Sequence, residues 1–147
     1  MTTANHAITG AFIATVIKQP LLAIPLAFLS HFVCDALPHF QYEFIFGRKR
    51  MFYYLIGDGL AALLAAAFLL SQHVAHPVLL AVCGFAAMSP DFMWLHYGVK
   101  HGTHDLRSTH GPIARFHDKI QWSATVWGIV PEVIWASLLL GSIVALQ

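Results

Sequence analysis

Residues 51–70 read MFYYLIGDGLAALLAAAFLL, with Asp58 the one acidic or basic side chain in the run. Wound as an α-helix, a stretch of this length rises about 30 Å, which is the thickness of a bilayer's hydrocarbon core. Outward from it, further apolar runs extend from Ala7 to Ile17, Leu21 to Leu37, Pro77 to Leu95 and Trp122 to Leu146. The chain has 147 residues, 58% hydrophobic and 10% charged, with a mean hydropathy of +0.66. That is too apolar for a soluble domain of this size. Together these features predict an all-α fold: a polytopic membrane helical bundle of about five hydrophobic helices, the first one short. One integral membrane domain is expected over residues 1–147.

Charge informs topology rather than binding. A formal charge of +1 with only eight Lys and Arg leaves no basic footprint, so no nucleic-acid partner is expected. Arg48, Lys49 and Arg50 lie between the second and third apolar runs; Lys100, Arg107, Arg115 and Lys119 lie between the fourth and fifth. An even number of helices separates these loops, so they share a side, and the positive-inside rule makes it the cytoplasmic one, with a cytoplasmic N-terminus. Lys18-Gln19-Pro20 reads as the tight turn of a helical hairpin, because proline is tolerated at a helix start. Gly57, Ala61 and Ala65 form a small-residue stripe suited to close helix contact. Trp94 and Trp122 fall at the expected membrane boundaries as anchors. Cys34 and Cys83 read as buried thiols, since neither has a second Cys at ligand spacing. Met1 to His6 lacks the positive region of a cleavable signal peptide, so the first helix is expected to stay in the mature chain.

Ten histidines against seven acids is the unusual ratio, and the predicted topology gathers many of them at one depth. His6 opens the first helix; His31, Asp35 and His39 occupy the cytoplasmic end of the second; Asp58 stands near the start of the third; Asp91 and His96 end the fourth. His101, His104, His110 and His117 follow in a His-rich loop at about residues 96–121, on the same side. His31 and Asp35 are four apart and share a helix face, which His39 would continue if the helix survived Pro38. Several carboxylates in one low-dielectric pocket repel or protonate unless a cation joins them. A divalent metal held by imidazole and carboxylate meets that demand, zinc first, with manganese or iron as alternatives. The expected ligands are His31, Asp35, His39 and Asp91, with His6, His104 and His110 as further candidates. Asp58, and behind it Glu132 on the last helix just after Pro131, are candidate catalytic proton acceptors. Arg107 and Arg115 are candidates for binding an anionic headgroup.

His6 with Gly10, the Asp and His pair in SHFVCDALPHF (30–40), Ser89-Pro90-Asp91, and the Thr-His pairs in KHGTHD (100–105) and RSTHGP (107–112) together resemble the membrane-bound metal-dependent hydrolase family of bacteria. KHGTHD and RSTHGP share between them the elements of that family's His-Arg-Gly and Thr-His-Ser motifs. The resemblance implies a multi-pass protein of the bacterial inner membrane and a metal-dependent hydrolase. The motifs of vanadium-haloperoxidase-type lipid phosphatases, the paired His boxes of membrane di-iron desaturases and the late-helix Lys of rhodopsins are all missing from the sequence.

The expected function is therefore metal-dependent hydrolysis of a lipid-linked ester or phosphoester at the cytoplasmic face, with membrane lipid as partner and a homo-oligomer or membrane complex as further partners. Two other classes fit the same residues: a non-catalytic subunit or anchor with His-ligated haem or chlorin, and a small ion- or proton-coupled transporter. The orientation is testable directly. A cysteine probe replacing Gln72 should be labelled from outside the cell, whereas probes replacing Lys49 or Arg107 should not; periplasmic labelling of either of the latter overturns the assigned topology.

Overall fold

The computed structural model describes residues 1–41, 51–93 and 111–147. Among the described residues the chain is all-helical, with six α-helices: α1 (Thr3–Ile17), α2 (Pro20–Ala36), α3 (Met51–Ser71), α4 (Pro77–Met88), α5 (Pro112–Ile120) and α6 (Ile129–Ala145). Two 3-10 turns, Ser89–Asp91 and Val126–Gly128, extend α4 and lead into α6. Two helical stretches, Tyr53–Ser71 and Val126–Ala145, are long and apolar enough to cross a membrane. Only 11% and 22% of these apolar stretches are buried among the described residues, so both present apolar side chains at the surface.

The predicted hairpin forms as its residues dictate. Lys18 takes the left-handed conformation that closes α1, its amide donating to the carbonyl of Ala14 at 3.0 Å. Gln19 then caps α2, its Oε1 accepting from the amide of Leu22 at 2.8 Å, and Pro20 begins the helix where no amide donor is needed. Helix α2 ends at Ala36 because Pro38 forces Leu37 into extended backbone, with ψ 157°. Pro90 likewise interrupts the fourth segment, where α-helix gives way to a 3-10 turn over Ser89–Asp91. The last segment also starts later than its apolar composition suggests: Trp122 to Thr125 form a turn, and α6 proper begins at Ile129. Pro131 therefore falls in its first turn, where a missing amide costs nothing. Part of the segment expected to be a loop is helical, since α5 follows Gly111-Pro112.

The short first helix is the centre of the molecule. Helices α2, α3, α4 and α6 all pack against α1, whose buried residues lie all round its axis. The shared core is built largely from small side chains, Ala11, Ala14, Ala23, Ala27, Cys83 and Ala87 among them, which let the helix backbones approach closely. Gly10 is the extreme case, because a Cβ there would overlap the Cys83 carbonyl on α4. The stripe expected to do this work on α3 does something else. A Cβ on Gly57 would meet nothing within 4 Å, and Ala61 is exposed, so among the described residues these two positions of the stripe face no packed helix.

Two carboxylates fix α1 at its N-terminal end. Asp58 of α3 accepts from the amides of Thr3 at 2.7 Å and Ala4 at 3.0 Å. Glu132 of α6 accepts from the Thr2 hydroxyl at 2.6 Å, the Asn5 side-chain amide at 2.8 Å and the Phe40 amide at 2.9 Å. The chain after α2 is held at the same place: the Thr125 amide donates to the His39 carbonyl at 2.9 Å, and Gly128 lies so close to that carbonyl that a Cβ would overlap it. Gly10→Ala should destabilise the protein by roughly 1–3 kcal/mol, because the added methyl meets α4 backbone rather than a movable side chain. Thermal unfolding in detergent should show a clear fall in melting temperature, while Gly141→Ala, whose Cβ meets nothing within 4 Å, should not lower it. Equal melting temperatures for the two variants would contradict the packing described.

Candidate metal centre

His31 and Asp35 project from adjacent turns of α2 toward the bundle interior, where both are fully buried. The 3-10 turn after α4 brings Asp91 beside them, and α5 supplies His117. One ligand atom from each of His31, Asp35, Asp91 and His117 lies within 4.8 Å of all the others, so the group can hold a metal ion. His31 Nε2 is 2.7 Å from His117 Nε2 and 3.3 Å from Asp35 Oδ2, and His117 Nε2 is 3.0 Å from that oxygen. Asp91 Oδ1 stands further back, 3.8 and 3.9 Å from the two imidazole nitrogens. For bonds of about 2.05 Å, the edge of a tetrahedron is roughly 3.3 Å, in the middle of this range.

Hydrogen bonding reveals what the cluster lacks. His31 Nδ1 lies 2.8 Å from the carbonyl oxygen of Ala87, an acceptor only, so this nitrogen carries the hydrogen. In the neutral ring, Nε2 then presents a lone pair to the cluster, the arrangement seen when a second contact orients a metal-binding imidazole. Across 3.3 Å it faces Asp35 Oδ2, which as a carboxylate oxygen also offers lone pairs. His117 Nε2 has at most one hydrogen for His31 Nε2, Asp35 Oδ2 and Asp91 Oδ1 together. Gln121 adds one contact, its amide donating to Asp35 Oδ2 at 3.1 Å. With both imidazoles neutral, buried acceptors converge on a small volume with few hydrogens between them, an arrangement that can hold a cation.

The remaining predicted residues fall into distinct places. His6 stands behind Asp35, its Nε2 3.1 Å from Oδ1 and its ring stacked on His31 with centroids 4.0 Å apart. The Met1 α-amino group contacts the same Oδ1. His39 is buried but leaves the group, since Pro38 ends the helix before it and its Nδ1 donates to the Leu37 carbonyl at 2.8 Å. Burial also pushes its imidazole below the usual proton affinity. Asp58 and Glu132, expected as proton acceptors, have their oxygens engaged by the first-turn donors of α1 and their neighbours, and neither belongs to the metal-binding group. Arg115 is exposed on α5. His104, His110 and Arg107 lie outside the described residues.

His117, expected in the His-rich loop but not among the ligands named from it, is the member that the structure adds. Its signal was the short helix itself: after Gly111-Pro112, residues Phe116, His117 and Ile120 fall on adjoining positions of one helical face. Phe116 packs near Phe32 of α2, with ring centroids 5.7 Å apart, and this contact turns His117 inward. Compared with protein-family models, curated proteins and solved structures, the chain matches none.

Proposed function

We propose that this chain is a multi-pass inner-membrane protein that binds a divalent metal, zinc first, at His31, Asp35 and His117, and uses it to hydrolyse a lipid-linked ester or phosphoester at the cytoplasmic face. The observation supporting the metal reading is the convergence of buried His31 Nε2, Asp35 Oδ2 and His117 Nε2 within 3.3 Å of one another, with His31 Nδ1 turned to the Ala87 carbonyl. The membrane reading is supported by the two span-length apolar helices and by the wide exposure of large apolar side chains on both, such as Leu63 and Leu64 on α3 and Val133 and Leu138 on α6. In this reading α1, α2 and α4 complete the membrane bundle around them, and the N-terminus is cytoplasmic.

The unequal distances suggest a division of labour. His31, Asp35 and His117 approach each other within 3.3 Å, the three-ligand pattern that leaves a fourth position for water. Asp91 faces that position from further away, and its side chain is 23% exposed where the other three are fully buried. When bound, the ion would lower the pKa of a water and polarise the scissile group. Asp91, set back from the imidazoles and partly reached by solvent, would be the residue placed to accept a proton from such a water. Asp35 holds the buried positive charge, and His6 orients Asp35 by donating to its other oxygen. A bis-histidine haem site fits less well: the two imidazole nitrogens point at each other across 2.7 Å, too close for iron between them.

Protein purified without a His-tag should contain close to one zinc, manganese or iron per chain. Asp35→Ala should lose most of it, and His117→Ala should lose a large share. Asp91→Asn should keep the ion yet lower metal-dependent turnover, in a screen of phospholipids and polyprenyl phosphates, by at least tenfold, since an amide cannot accept the proton. Metal content unchanged by Asp35→Ala would sink the metal centre. Folded, metal-loaded protein with no turnover across the screen would remove the hydrolytic part and favour the anchor or subunit reading.

A further inference from the structure

After α5 ends at Ile120, the chain makes a turn that is tied to the end of α2 at two points. Ser123 Oγ donates to the Ala36 carbonyl at 3.0 Å, and the Thr125 amide donates to the His39 carbonyl at 2.9 Å. Gln121 opens this turn four residues after His117, a spacing that sets its side chain over the imidazole. It is half-buried, and its terminal amide enters the metal-binding group. Nε2 stands 3.1 Å from Asp35 Oδ2 and 3.4 Å from His117 Nδ1. Gln121 thus touches two of the three close-set ligands, Asp35 at the oxygen that faces the cluster and His117 at its second nitrogen.

Hydrogen counting fixes which way the amide lies. A carboxylate oxygen only accepts, so the atom against Asp35 Oδ2 is Nε2 and not Oε1. With one hydrogen on Asp35, the same nitrogen offers its other to His117 Nδ1, which then accepts and leaves the hydrogen of the neutral ring on Nε2. From there it meets Asp35 Oδ2 at 3.0 Å or His31 Nε2 at 2.7 Å. This is the wrong tautomer for a ligand through Nε2. An imidazole binds a metal through a nitrogen lone pair, and its other N–H is almost always taken up by an acceptor. Gln121 carries such an acceptor on the same amide, and a half-turn about its last side-chain bond, a soft two-fold torsion, exchanges Nε2 for Oε1.

We propose that Gln121 is the positioning residue for His117. Lying as it does, the amide holds the ring's hydrogen on Nε2; turned over, it accepts from Nδ1–H and frees the Nε2 lone pair for the ion. The inference rests on the metal centre proposed above. The ring keeps one hydrogen in both arrangements, so the change adds no charge of its own to a buried site. Asp35 Oδ2 gives up the amide hydrogen where it gains the cation. Because Ser123 and Thr125 hold the turn, only the amide has to move. His31 differs, since its Nδ1 is committed to the Ala87 carbonyl and its Nε2 lone pair already faces the cluster. One imidazole is oriented by backbone, the other by a side chain that can turn, and residue 121 thereby sets the affinity of the site.

The test measures zinc affinity of the full chain in detergent by competition with a chelator. It also reads the His117 tautomer by nitrogen NMR of protein carrying isotope-labelled histidine, with His117→Asn identifying the signals. The parent should carry the His117 hydrogen on Nε2 after chelation and on Nδ1 with zinc bound. Gln121→Leu, similar in size but unable to accept, should weaken zinc binding roughly ten- to a hundredfold. Gln121→Glu, which accepts as a carboxylate without donating, should bind zinc at least as tightly as the parent and keep the hydrogen on Nδ1 even without metal. A residue that only steadied Asp35 by donation would be missed equally in both variants. Zinc binding in Gln121→Glu as weak as in Gln121→Leu therefore overturns the proposal, as does Gln121→Leu binding like the parent. Tighter binding in Gln121→Glu with the metal-free hydrogen still on Nε2 overturns it too, since that is charge attraction alone. A parent that binds no zinc, manganese or iron refutes the metal centre, whereas the tautomer of metal-free Gln121→Glu still reports whether residue 121 governs His117, so the two failures are distinguishable.

Discussion

The first turn of α1 carries amides with no partner inside their own helix, and here that turn is half-buried between neighbouring apolar helices. Asp58 and Glu132 meet this constraint from opposite sides, and their negative charge also complements the positive end of the α1 dipole. Because each carboxylate sits on a different helix, satisfying α1 sets the height of α3 and α6 against it. Glu132 binds the Phe40 amide as well, which ties the segment after α2 into the same knot. Position along the bundle axis is otherwise weakly specified, since a core of alanines slides more easily than one of interlocking large side chains.

That knot brings His6 and Asp35 together, and through Asp35 the rest of the cluster. Asp35 is fully buried and takes contacts at both oxygens: His6 and the Met1 amino group on one side, His31, His117 and Gln121 on the other. A carboxylate so placed is expensive unless its charge is balanced locally. The Met1 ammonium balances that charge at one oxygen, while the imidazoles bring acceptor nitrogens as readily as hydrogens to the other. A cation between them converts the deficit of donors into coordination, which is why the same geometry supports both the stability of the pocket and a chemical role for it.

Glu132 shows why an acid in an apolar segment is an ambiguous signal. An ionisable residue in a hydrophobic segment must find a partner, and that partner can be a backbone as well as a substrate or a metal. From the chain alone, Asp58 and Glu132 have the same appearance as Asp35: one acid in an apolar run. In the structure the first two accept from amides and hydroxyls, while Asp35 faces imidazole nitrogens. Donor chemistry separates them, and donors come from elements distant in sequence.

What the sequence by itself determined is therefore what depends on short range. Hydropathy marked the apolar helices and their all-α character; the four-residue spacing put His31 and Asp35 on one face; Lys18-Gln19-Pro20 made the hairpin; Pro38 placed His39 in doubt, and it does leave that face. Only the tertiary structure decided that α1 is the central helix, that Gly57 and Ala61 face no packed helix among the described residues, that His117 joins the cluster in place of His39, and that Asp58 and Glu132 cap α1. The physical reason is that helix periodicity and proline sterics act over one or two turns and are written in neighbouring residues, whereas burial and hydrogen-bond partnership depend on which faces meet across the bundle. His117 and His31 are 86 residues apart and 2.7 Å from contact atom to contact atom.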